Sequence, residues 1–542
     1  ITNTTCIPRF EAYKHFVLPT KTRSLQCCNR SIFELFSRIS CIRFDLLVIL
    51  TDQPIGQLSN LGDTMSHNLD LEPNTSNIND MDQMFNRQKD HYRNNVNPSL
   101  EQRRKDLSVL KALLMRYQEQ LIDAVSEDYG HRAKHDSLIA DITPSLHQIN
   151  YSAKNLKKWL KPSRRKAGLM LTPAKITVHY QPVGVVGIIV PWNFPIMLSL
   201  GPLITALAAG NTAMLKMSEF TPATNRVLKA MLAEGFSEDQ VAIIEGEADV
   251  SAKFSQLPFD HILFTGSTSV GKHVMRAAAD NLTPVTLELG GKSPTIIAPD
   301  FDIADAVERI LFAKSLNAGQ ICVAPDYILL PREKVDAFIT AYKQYFKRLY
   351  KAGIESKDLT SVIDMRQYNR LKGVITDAQS KGAVVHTVTE QAQDDVNHRM
   401  TPHLLTEVND DMVAMQEELF GPVLPIVPYD SIEEAINYIT ARERPLALYL
   451  MSHDKQIQDQ FLSNTHSGGV CINDSLVHVA AEDAPFGGIG PSGMGHYHGI
   501  EGFKTFSHAK TVLSRGKINF TKLMHPPYNN PIKKLLFKVL NR

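Results

Sequence analysis

Cys322 lies in the stretch LNAGQICVAP, residues 316–325, and is one of only two cysteines after Cys41. An isolated cysteine is more often a small buried apolar group than a reactive one. As a thiolate, however, the same side chain is a strong nucleophile that can add to a carbonyl carbon. The other cysteine, Cys471 in SGGVCINDS, is interpreted as part of a core strand. Cys322 is therefore the first candidate for chemistry.

Glu288 is the second candidate, because LELGGK (287–292) places it at the end of an apolar strand beside two glycines. Burial disfavours a charged carboxylate and raises its pKa, which suits a general base. A glutamate held in a structural salt bridge is the alternative. The residues alone favour neither interpretation.

Asn193 is the third candidate and stands in PWNFP (191–195), between aromatic residues and prolines at a rigid strand end. A side-chain amide held there could donate a hydrogen bond to a developing oxyanion. More commonly, an asparagine in such a place ties its own turn. Both interpretations stay open on the residues alone.

Two further strand ends could hold a nucleotide. FTGSTSVGK (264–272) follows a strand and opens a helix, so the amides of Ser267 and Thr268 can face a phosphate. Its spacing is not GxGxxG, and a strand-to-helix turn also needs glycine for structural reasons. In LKMSE (215–219), Lys216 and Glu219 could reach a ribose or simply form a solvated strand end.

The elements that must position these residues alternate regularly. The strand VVGIIV precedes the helical MLSLGPLITALAAG, and HILFTG precedes the helical TSVGKHVMRAAAD. This alternation predicts an α/β fold with a doubly wound, Rossmann-like parallel sheet, which binds ligands at the carboxyl ends of its strands. A second α/β region follows from residue 291 to 490. Ahead of the sheet, residues 99–130 predict a long helix that Ser99 caps and Gly130 ends.

Length and charge exclude several classes of protein. A chain of 542 residues predicts two or three domains. Its 58 basic and 57 acidic residues nearly cancel, so we expect no nucleic-acid partner. No apolar run reaches the roughly 18 residues of a transmembrane span. The wide separation of Cys322 and Cys471 favours a reducing compartment, so we expect a cytoplasmic protein.

The two ends of the chain differ from its body. Residues 1–64 are rich in arginine and show neither a helical nor a strand period. They are interpreted as a transit-like peptide or, preferably, as upstream sequence from a misplaced start, and we expect them to lie outside the fold. The C-terminal IKKLLFKVLNR is basic and amphipathic and could touch a membrane surface or a partner. We expect it instead to pack on its own body or to fray.

Six motifs together give the chain a family resemblance. PWNFP, FTGSTSVGK, LELGGK, NAGQICVAPD, EELFGPV and PFGGIGPSGMG occur in this order between residues 90 and 515. In order and approximate spacing they resemble the aldehyde dehydrogenase superfamily. The wording GMGHYHG and FKTFSHAK is similar to the class 3 branch, and MSEFTP is most similar to the coniferyl aldehyde dehydrogenases within it.

The resemblance implies a role for each matching residue. It makes Cys322 the nucleophile and Glu288 the general base, with the Asn193 side chain and the Cys322 amide as the oxyanion hole. The implied cofactor is NAD, with NADP possible, and the implied cofactor-binding residues are Trp192, Lys216, Glu219, Gly266, Ser267, Glu418 and Phe420. Met217 departs from the pattern, since many relatives have proline there, and this puts the cofactor preference in doubt.

The resemblance also implies a domain plan and a homodimer. The expected parts are a cofactor-binding domain (65–165 and 183–290), an oligomerisation hairpin and strand (166–182 and 503–518), a catalytic domain (291–502) and a C-terminal tail (519–542). No metal is expected, although His496 and His498 flank Tyr497 at a spacing that suggests one, because a third ligand is missing nearby.

The implied function is NAD(P)-dependent oxidation of a small-molecule aldehyde to the carboxylic acid, through a cysteine thiohemiacetal and a thioester. Its substrate would be aromatic, such as coniferyl aldehyde, or medium-chain aliphatic. One alternative is a CoA-acylating enzyme, against which Glu288 argues because it can activate water. The other is a catalytically silent structural relative, against which Cys322, Glu288 and Asn193 argue together.

Overall fold

The computed structural model describes residues 78–517, 522 and 524–541. The segment 1–64, which was predicted to lie outside the fold, falls outside the described residues. Within them, the structure alternates helices and strands, as the sequence predicts, and its two large sheets are mostly parallel, whereas its two small sheets are antiparallel.

The helices surround the sheets on both faces. The α-helices are Ile78–Asn94, Leu100–Asp128, Lys134–Ser137, Thr143–Trp159, Gly168–Leu171, Met197–Ala209, Pro222–Ala233, Ala248–Ser255, Thr268–Ala279, Ile303–Ser315, Val335–Leu349, Met365–Ser380, Val413–Gln416, Ile432–Thr440, Lys455–Asn464, Gly499–Thr505 and Pro531–Leu540. A π-helical turn covers Leu138–Ile142, and 3₁₀ turns cover Leu316–Gly319, Arg332–Lys334, Gly353–Glu355 and Val477–Ala480.

The first sheet has six strands within the described residues. Their order in space is Gly493–Met494, Val285–Glu288, His261–Thr265, Val185–Ile189, Thr212–Lys216 and Val241–Ile244. The strands are parallel except Gly493–Met494, which pairs antiparallel and sets Gly493 opposite Glu288. The inner strands are continuous apolar runs because helices cover both of their faces. The carboxyl ends of these parallel strands, two of which carry Glu288 and Lys216, therefore lie along the same end of the sheet.

The second sheet follows in the chain and has seven strands in the described region. Their spatial order is Val384–Thr387, His403–Thr406, Val423–Tyr429, Tyr327–Pro331, Pro294–Ile297, Ala447–Met451 and Gly469–Ile472. Val384–Thr387 pairs antiparallel to its neighbour, and the other strands are parallel. Gln393–Asp394 and Arg399–Met400 form a separate short hairpin.

A three-stranded antiparallel sheet is built from Ser163–Arg165, Lys175–Pro182 and Ser507–Ser514, with Lys175–Pro182 in the middle. The strand Ser507–Ser514 is almost entirely exposed and forms an edge of this sheet. Apolar and polar residues alternate along the middle strand, KITVHYQP, and most of its residues are half-buried. An exposed edge of this length is a surface on which another chain can pair.

The local signals of the sequence are confirmed at the helix ends. The hydroxyl of Ser99 accepts a hydrogen bond from the amide of Gln102 at 3.1 Å, and the long helix ends just before Gly130, whose φ is 66°. Leu107, Leu110, Leu114 and Leu121 are buried on its inner face. This helix packs beside Met197–Ala209, where Gly210 takes the left-handed conformation that ends a helix.

The C-terminal segment departs from the expectation that it packs on its own body. Pro531–Leu540 is a helix, but Ile532, Leu535 and Val539 are 65%, 63% and 54% exposed. The apolar residues do share one face, as their spacing predicts. The sequence predicts that this segment packs on the body or frays; this apolar face does not pack on the body, and fraying stays a prediction.

Among the helices of the described residues, none combines the length and the apolar composition that crossing a bilayer needs.

Candidate active site

Cys322 lies where two cavities meet. One cavity of about 540 Å³ opens at the carboxyl edge of the first sheet and is lined by polar and charged groups together with Trp192 and Phe420. The other, of about 260 Å³, is largely apolar and includes Phe194 and Phe486. Both cavities reach the thiol of Cys322, so a group bound in either could touch the sulfur.

The loop that carries Cys322 is held in an unusual backbone conformation. Asn317, Ala318 and Gly319 have φ values of 49°, 53° and 71°, all in the left-handed region. For residues with a Cβ atom this conformation costs about 1–2 kcal/mol each. Asp136 stabilises it, since its carboxylate accepts from the Asn317 amide at 2.9 Å and from the Thr360 hydroxyl at 2.6 Å. The strained turn directs the chain from the helix Ile303–Ser315 to Cys322.

The side chains of Gln320 and Asn193 hold the same loop by hydrogen bonds. The buried amide of Gln320 donates to the carbonyls of Asn317 and Ser361 at 2.9 and 3.1 Å, and its oxygen accepts from the Ile363 amide. The Asn193 side chain donates to the Gln320 carbonyl at 3.2 Å, two residues before Cys322. The Asn193 amide nitrogen thus lies beside the loop that carries Cys322, and it has a second N–H that a ligand could accept from.

A buried ion pair fixes the main chain of Asn193. Arg132 and Asp141 are joined at 2.8 Å, and both side chains are fully buried. Arg132 also donates to the Asn193 carbonyl at 2.9 Å, which the Tyr129 hydroxyl contacts at 3.0 Å. Asp141 in turn accepts from the Met197 amide at 2.8 Å. This network keeps the oxyanion-hole candidate in place, since a buried charge without its partner is strongly destabilising.

The thiol of Cys322 is protonated at neutral pH in this setting. Burial raises its pKa to about 12, and the nearby carboxyl groups of Glu418 and Glu288 add to the shift. Because only the thiolate is a strong nucleophile, a base must take the proton as the sulfur attacks. Both carboxyl groups line the same cavity as Cys322.

Glu288 is the carboxyl group whose environment is most unusual. It is 3% exposed, and neither of its oxygens has a hydrogen-bond partner among the described residues. Burial without such a partner raises its pKa well above the ordinary value. A structural salt bridge would have supplied a partner, so this geometry favours the general-base interpretation of the sequence. Glu288 lines the same cavity as Cys322 and Asn193.

Glu418 also lines this cavity, and its carboxylate lies against the backbone of Gly290. A Cβ atom on Gly290 would lie 2.1 Å from a carboxylate oxygen of Glu418, so any larger residue at that position would displace the Glu418 carboxylate. Burial raises the pKa of Glu418 to about 8, and the neighbouring Asp326 contributes. Asp326 also accepts from the Leu419 amide at 2.8 Å, which anchors the segment next to Glu418.

Trp192 and Phe420 form an aromatic wall of the larger cavity. Their ring centroids are 5.3 Å apart and their planes meet at 82°, an edge-to-face arrangement. Phe420 has a φ of 47°, which a bulky side chain rarely adopts and which points to a functional constraint. An aromatic edge of this kind could lie against a planar ring of a ligand.

Ser267 caps a helix that points into the larger cavity. Its hydroxyl accepts from the Val270 amide at 3.4 Å, and the helix Thr268–Ala279 begins at the next residue. The free amides and the dipole at such a helix start attract a phosphate. Gly266 and Ser267 both line the cavity there.

Lys216 and Glu219 lie at the same edge of the sheet but do not line the larger cavity. Lys216 is buried and its ammonium donates to the Met217 carbonyl at 2.7 Å. Burial lowers its pKa, whereas the charges of Glu219, Glu247, Glu245 and Asp249 act in the opposite direction. Four carboxylates therefore surround the buried ammonium of Lys216 at this strand end.

Met217, the departure from the family pattern, has a structural reason in this chain. Its amide donates to the Ile244 carbonyl at 3.0 Å, and its side chain is buried in the core beneath the sheet. Proline has no amide hydrogen and could not make this bond. The bond ties the segment that carries Lys216 and Glu219 to the neighbouring strand.

Cys471 is less buried than a core strand would make it. The strand Gly469–Ile472 is at the edge of the second sheet, and all of its residues are half-buried. Cys471 packs against the apolar cluster that Cys322 also contacts, and both cysteines are free thiols. Cys471 therefore lies in a strand, as the sequence predicts, but this strand is at an edge of the sheet and not in its core.

The apolar cavity holds polar side chains that the sequence did not single out as site residues. Glu482 and His498 line it together with aromatic and aliphatic groups. His498 was considered only as a metal ligand, and within the described residues no three potential ligands come together. Neither side chain was assigned a role from the sequence, although Glu482 belongs to SLVHVAAED, a stretch expected to line the substrate tunnel of such an enzyme.

Arg370 and Gln367 are further cavity residues that the sequence did not reveal. The Arg370 guanidinium donates to the Leu419 carbonyl at 2.6 Å and to the Gln367 side chain at 2.8 Å. These two residues lie on the helix Met365–Ser380, far in sequence from every motif. Arg370 adds a positive charge to the lining of the larger cavity, which Glu418 and Phe420 share.

The larger cavity has the chemistry that a nicotinamide dinucleotide requires. A helix start with Ser267 could hold the pyrophosphate, and Glu418 could accept from ribose hydroxyls. The aromatic edge of Phe420 could contact the nicotinamide ring, near Cys322. Glu288, whose carboxyl oxygens have no hydrogen-bond partner among the described residues, lines the same cavity. The residues present therefore fit the cofactor.

Comparison with known proteins gives one family. Residues 71–512 match the model of the aldehyde dehydrogenase family. A protein from Pseudomonas aeruginosa named probable coniferyl aldehyde dehydrogenase is 52% identical over 87% of this chain and 98% of its own length. Coniferyl aldehyde dehydrogenase from Pseudomonas sp. strain HR199 is 45% identical over 82% of this chain and 92% of its own length.

A solved structure supports the same assignment of fold. The substrate-bound state of Staphylococcus aureus AldH is 38% identical and aligns with a TM-score of 0.81. The alignment covers 85% of this chain and 99% of that protein.

Proposed function

This chain belongs to the aldehyde dehydrogenase family, and we propose that it oxidises coniferyl aldehyde or a closely related aromatic aldehyde to the carboxylic acid with NAD. The general activity, oxidation of an aldehyde with NAD or NADP, follows from the family. The choice of an aromatic substrate is supported by the names of the relatives at 45% and 52% identity.

One observation carries the proposed roles of the residues. Cys322 lines both the larger cavity, whose charged and polar residues fit a dinucleotide, and the smaller apolar cavity, which fits an aromatic aldehyde. An aldehyde in the apolar cavity would present its carbonyl carbon to the sulfur, with the cofactor on the other side. Phe194, Phe486 and Tyr497 give that cavity aromatic walls suited to a flat ring.

The first chemical step that we propose is addition of Cys322 to the aldehyde. Its sulfur forms a bond to the carbonyl carbon, and the carbonyl oxygen becomes an oxyanion. The proton of the thiol passes to Glu288, whose raised pKa suits a base working near neutral pH. The oxyanion accepts from the Asn193 side chain and from the Cys322 amide, two donors that the loop network holds in place.

The second half of the reaction releases the acid. When bound, NAD supplies the acceptor for the hydride that leaves the thiohemiacetal carbon, which turns the adduct into a thioester on Cys322. After losing the first proton to solvent, Glu288 takes a proton from water, and the hydroxide attacks the thioester carbon. The carbon–sulfur bond then breaks, and the carboxylic acid and the thiolate separate. Trp192 and Phe420 would keep the nicotinamide ring near Cys322.

A panel of aldehydes tests the proposed substrate class. We expect kcat/KM for coniferyl aldehyde to exceed that for hexanal by at least about tenfold, because a flat ring gains contacts with the aromatic walls. Formation of NADH is followed with each aldehyde, once with NAD and once with NADP. A clear preference for hexanal would contradict the aromatic substrate while leaving the aldehyde dehydrogenase activity in place.

We propose that Lys216 and Glu219 bind the adenosine ribose and that Glu219→Gln changes the cofactor preference. A 2′-phosphate would lie against the carboxylate of Glu219, and Glu245, Glu247 and Asp249 add negative charge nearby. One such repulsion is worth about 1 kcal/mol even in water, so the variant should raise the NADP to NAD ratio of kcat/KM about fivefold or more. Wild type should prefer NAD.

Glu238→Gln is the matched control for this experiment, since Glu238 is an exposed carboxylate that pairs with Arg87 on the surface. It should leave the cofactor ratio unchanged. A wild type that prefers NADP, or an unchanged ratio in Glu219→Gln, would mean that Glu219 does not face the ribose.

We also propose a homodimer, a cytoplasmic location and the domain plan of the sequence. The dimer is supported by the exposed edge strand Ser507–Ser514, on which a second copy could pair. The location is supported by the two free thiols, Cys322 and Cys471. The domain plan assigns residues 65–165 and 183–290 to the cofactor and 291–502 to catalysis.

A further inference from the structure

The apolar cavity beside Cys322 contains polar atoms that its walls do not satisfy. His498 is 3% exposed, and neither of its ring nitrogens has a hydrogen-bond partner among the described residues. The same holds for one carboxylate oxygen of Glu482. A buried polar atom left unpaired is costly, so natural structures keep few of them without a function. Both residues line the cavity.

Aromatic rings hold the His498 imidazole in place. Phe486 stacks on it with ring centroids 5.2 Å apart and planes at 23°, and Tyr497 meets it edge-on at 4.5 Å. Rings offer no strong partner to an imidazole nitrogen, so this packing orients the side chain without satisfying it. The arrangement is that of a polar group kept ready for a ligand.

We propose that Glu482 and His498 together recognise the ring hydroxyl of a phenolic aldehyde while its carbonyl carbon lies at Cys322. This inference rests on the proposed function and names its substrate class more closely. The phenol O–H donates to the Glu482 carboxylate, and the phenol oxygen accepts from the His498 imidazole. An aromatic aldehyde without that hydroxyl would leave both groups unpaired.

The protonation states of His498 and Glu482 suit a donor and an acceptor, respectively. Burial lowers the pKa of His498 to about 4, so the imidazole is neutral at pH 7 and carries one N–H donor. Burial raises the pKa of Glu482 to about 7, so its ionised and neutral forms are both populated there. A phenol offers one donor and an acceptor oxygen, which complements a carboxylate and a neutral imidazole. Within the described residues, no hydrogen bond joins Glu482 to His498, so neither satisfies the other.

Two aldehydes that differ only in the hydroxyl test the proposal. They are coniferyl aldehyde and 3-methoxycinnamaldehyde, which lacks the ring hydroxyl and adds no bulk. We expect wild type to favour coniferyl aldehyde in kcat/KM by about 10- to 100-fold, because a site built for a hydroxyl rejects the analogue without it. This comparison needs no variant, so it holds even where a substitution disturbs folding.

Two substitutions of Glu482 test whether this residue causes the preference for the aldehyde with the ring hydroxyl. Glu482→Met should lower the ratio of the two kcat/KM values by about fivefold or more and leave the part that His498 contributes, whereas Glu482→Gln, which keeps an acceptor, should lower it less. Asp483→Asn is the matched control, because Asp483 is the adjacent exposed carboxylate and contacts the Tyr151 hydroxyl outside the cavity. It should leave the ratio as in wild type.

The outcomes separate this inference from the proposed function. Coniferyl aldehyde oxidised with the same efficiency as its deoxy analogue would overturn the recognition of the hydroxyl and leave the aromatic substrate standing. A preference that Glu482→Met does not change would likewise overturn the role of Glu482. Failure to oxidise either aromatic aldehyde, with hexanal still oxidised, would instead overturn the proposed substrate class.

Discussion

Cys322→Ala lowers aldehyde oxidation by at least about 10⁴-fold, because without the sulfur no thiohemiacetal forms and no hydride can leave. Folding should be retained, since the change removes one atom from a side chain that is only partly buried. NAD binding, measured by calorimetry, should stay within about threefold of wild type, because the groups we assign to the cofactor lie elsewhere in the cavity.

Cys471→Ala is the control for this loss. Cys471 packs against the same apolar cluster as Cys322 but does not line either cavity. The variant should therefore keep most of the activity. If Cys471→Ala were inactive and Cys322→Ala active, the nucleophile would have been assigned to the wrong residue.

Glu288→Gln lowers steady-state turnover by about 10²- to 10⁴-fold, the usual effect of removing a general base. The amide is nearly isosteric with the carboxyl group. Because neither carboxyl oxygen of Glu288 has a partner among the described residues, the exchange breaks no hydrogen bond. Thermal unfolding should shift little. A variant with the turnover of wild type would exclude Glu288 as the base.

The pH dependence gives an independent check on Glu288. Because burial raises its pKa well above the ordinary value, the base becomes protonated and inactive as the pH falls through that raised pKa. Turnover should thus rise with pH along an acid limb whose midpoint lies above pH 4.5, the ordinary value of a glutamate. Glu288→Gln should lack this limb. A limb that persists in the variant would have to come from another group.

Much of the fold could be predicted because its signals are local. The buried strand Val185–Ile189 is a continuous apolar run, and Ser99 and Gly130 mark the ends of the helix between them. The placement of Glu288 at a strand end likewise follows from the apolar residues before it and the glycines after it. Such features depend on neighbours in the sequence, so they are visible without the structure.

The contacts that shape the site could not be predicted, because they join distant parts of the chain. The left-handed turn at Asn317 depends on Asp136, and the position of Asn193 depends on Arg132 and Asp141. No pattern around Arg132 or Asp136 indicates that its side chain will be buried. Glu482 was missed for a similar reason, since only the folded cavity shows that one of its oxygens has no partner among the described residues.

Mass spectrometry of Glu288→Gln after one turnover tests the central claim most directly. The protein is mixed with NAD and coniferyl aldehyde, quenched, digested and analysed for acylated peptides, while NADH is followed in parallel. We predict about one NADH per active site, formed more slowly than in wild type because Cys322 loses its base. An acyl group should then stay on the peptide that contains Cys322, because hydrolysis of the thioester also needs Glu288. NADH formation without an adduct, or an adduct on Cys471 instead, would contradict the account.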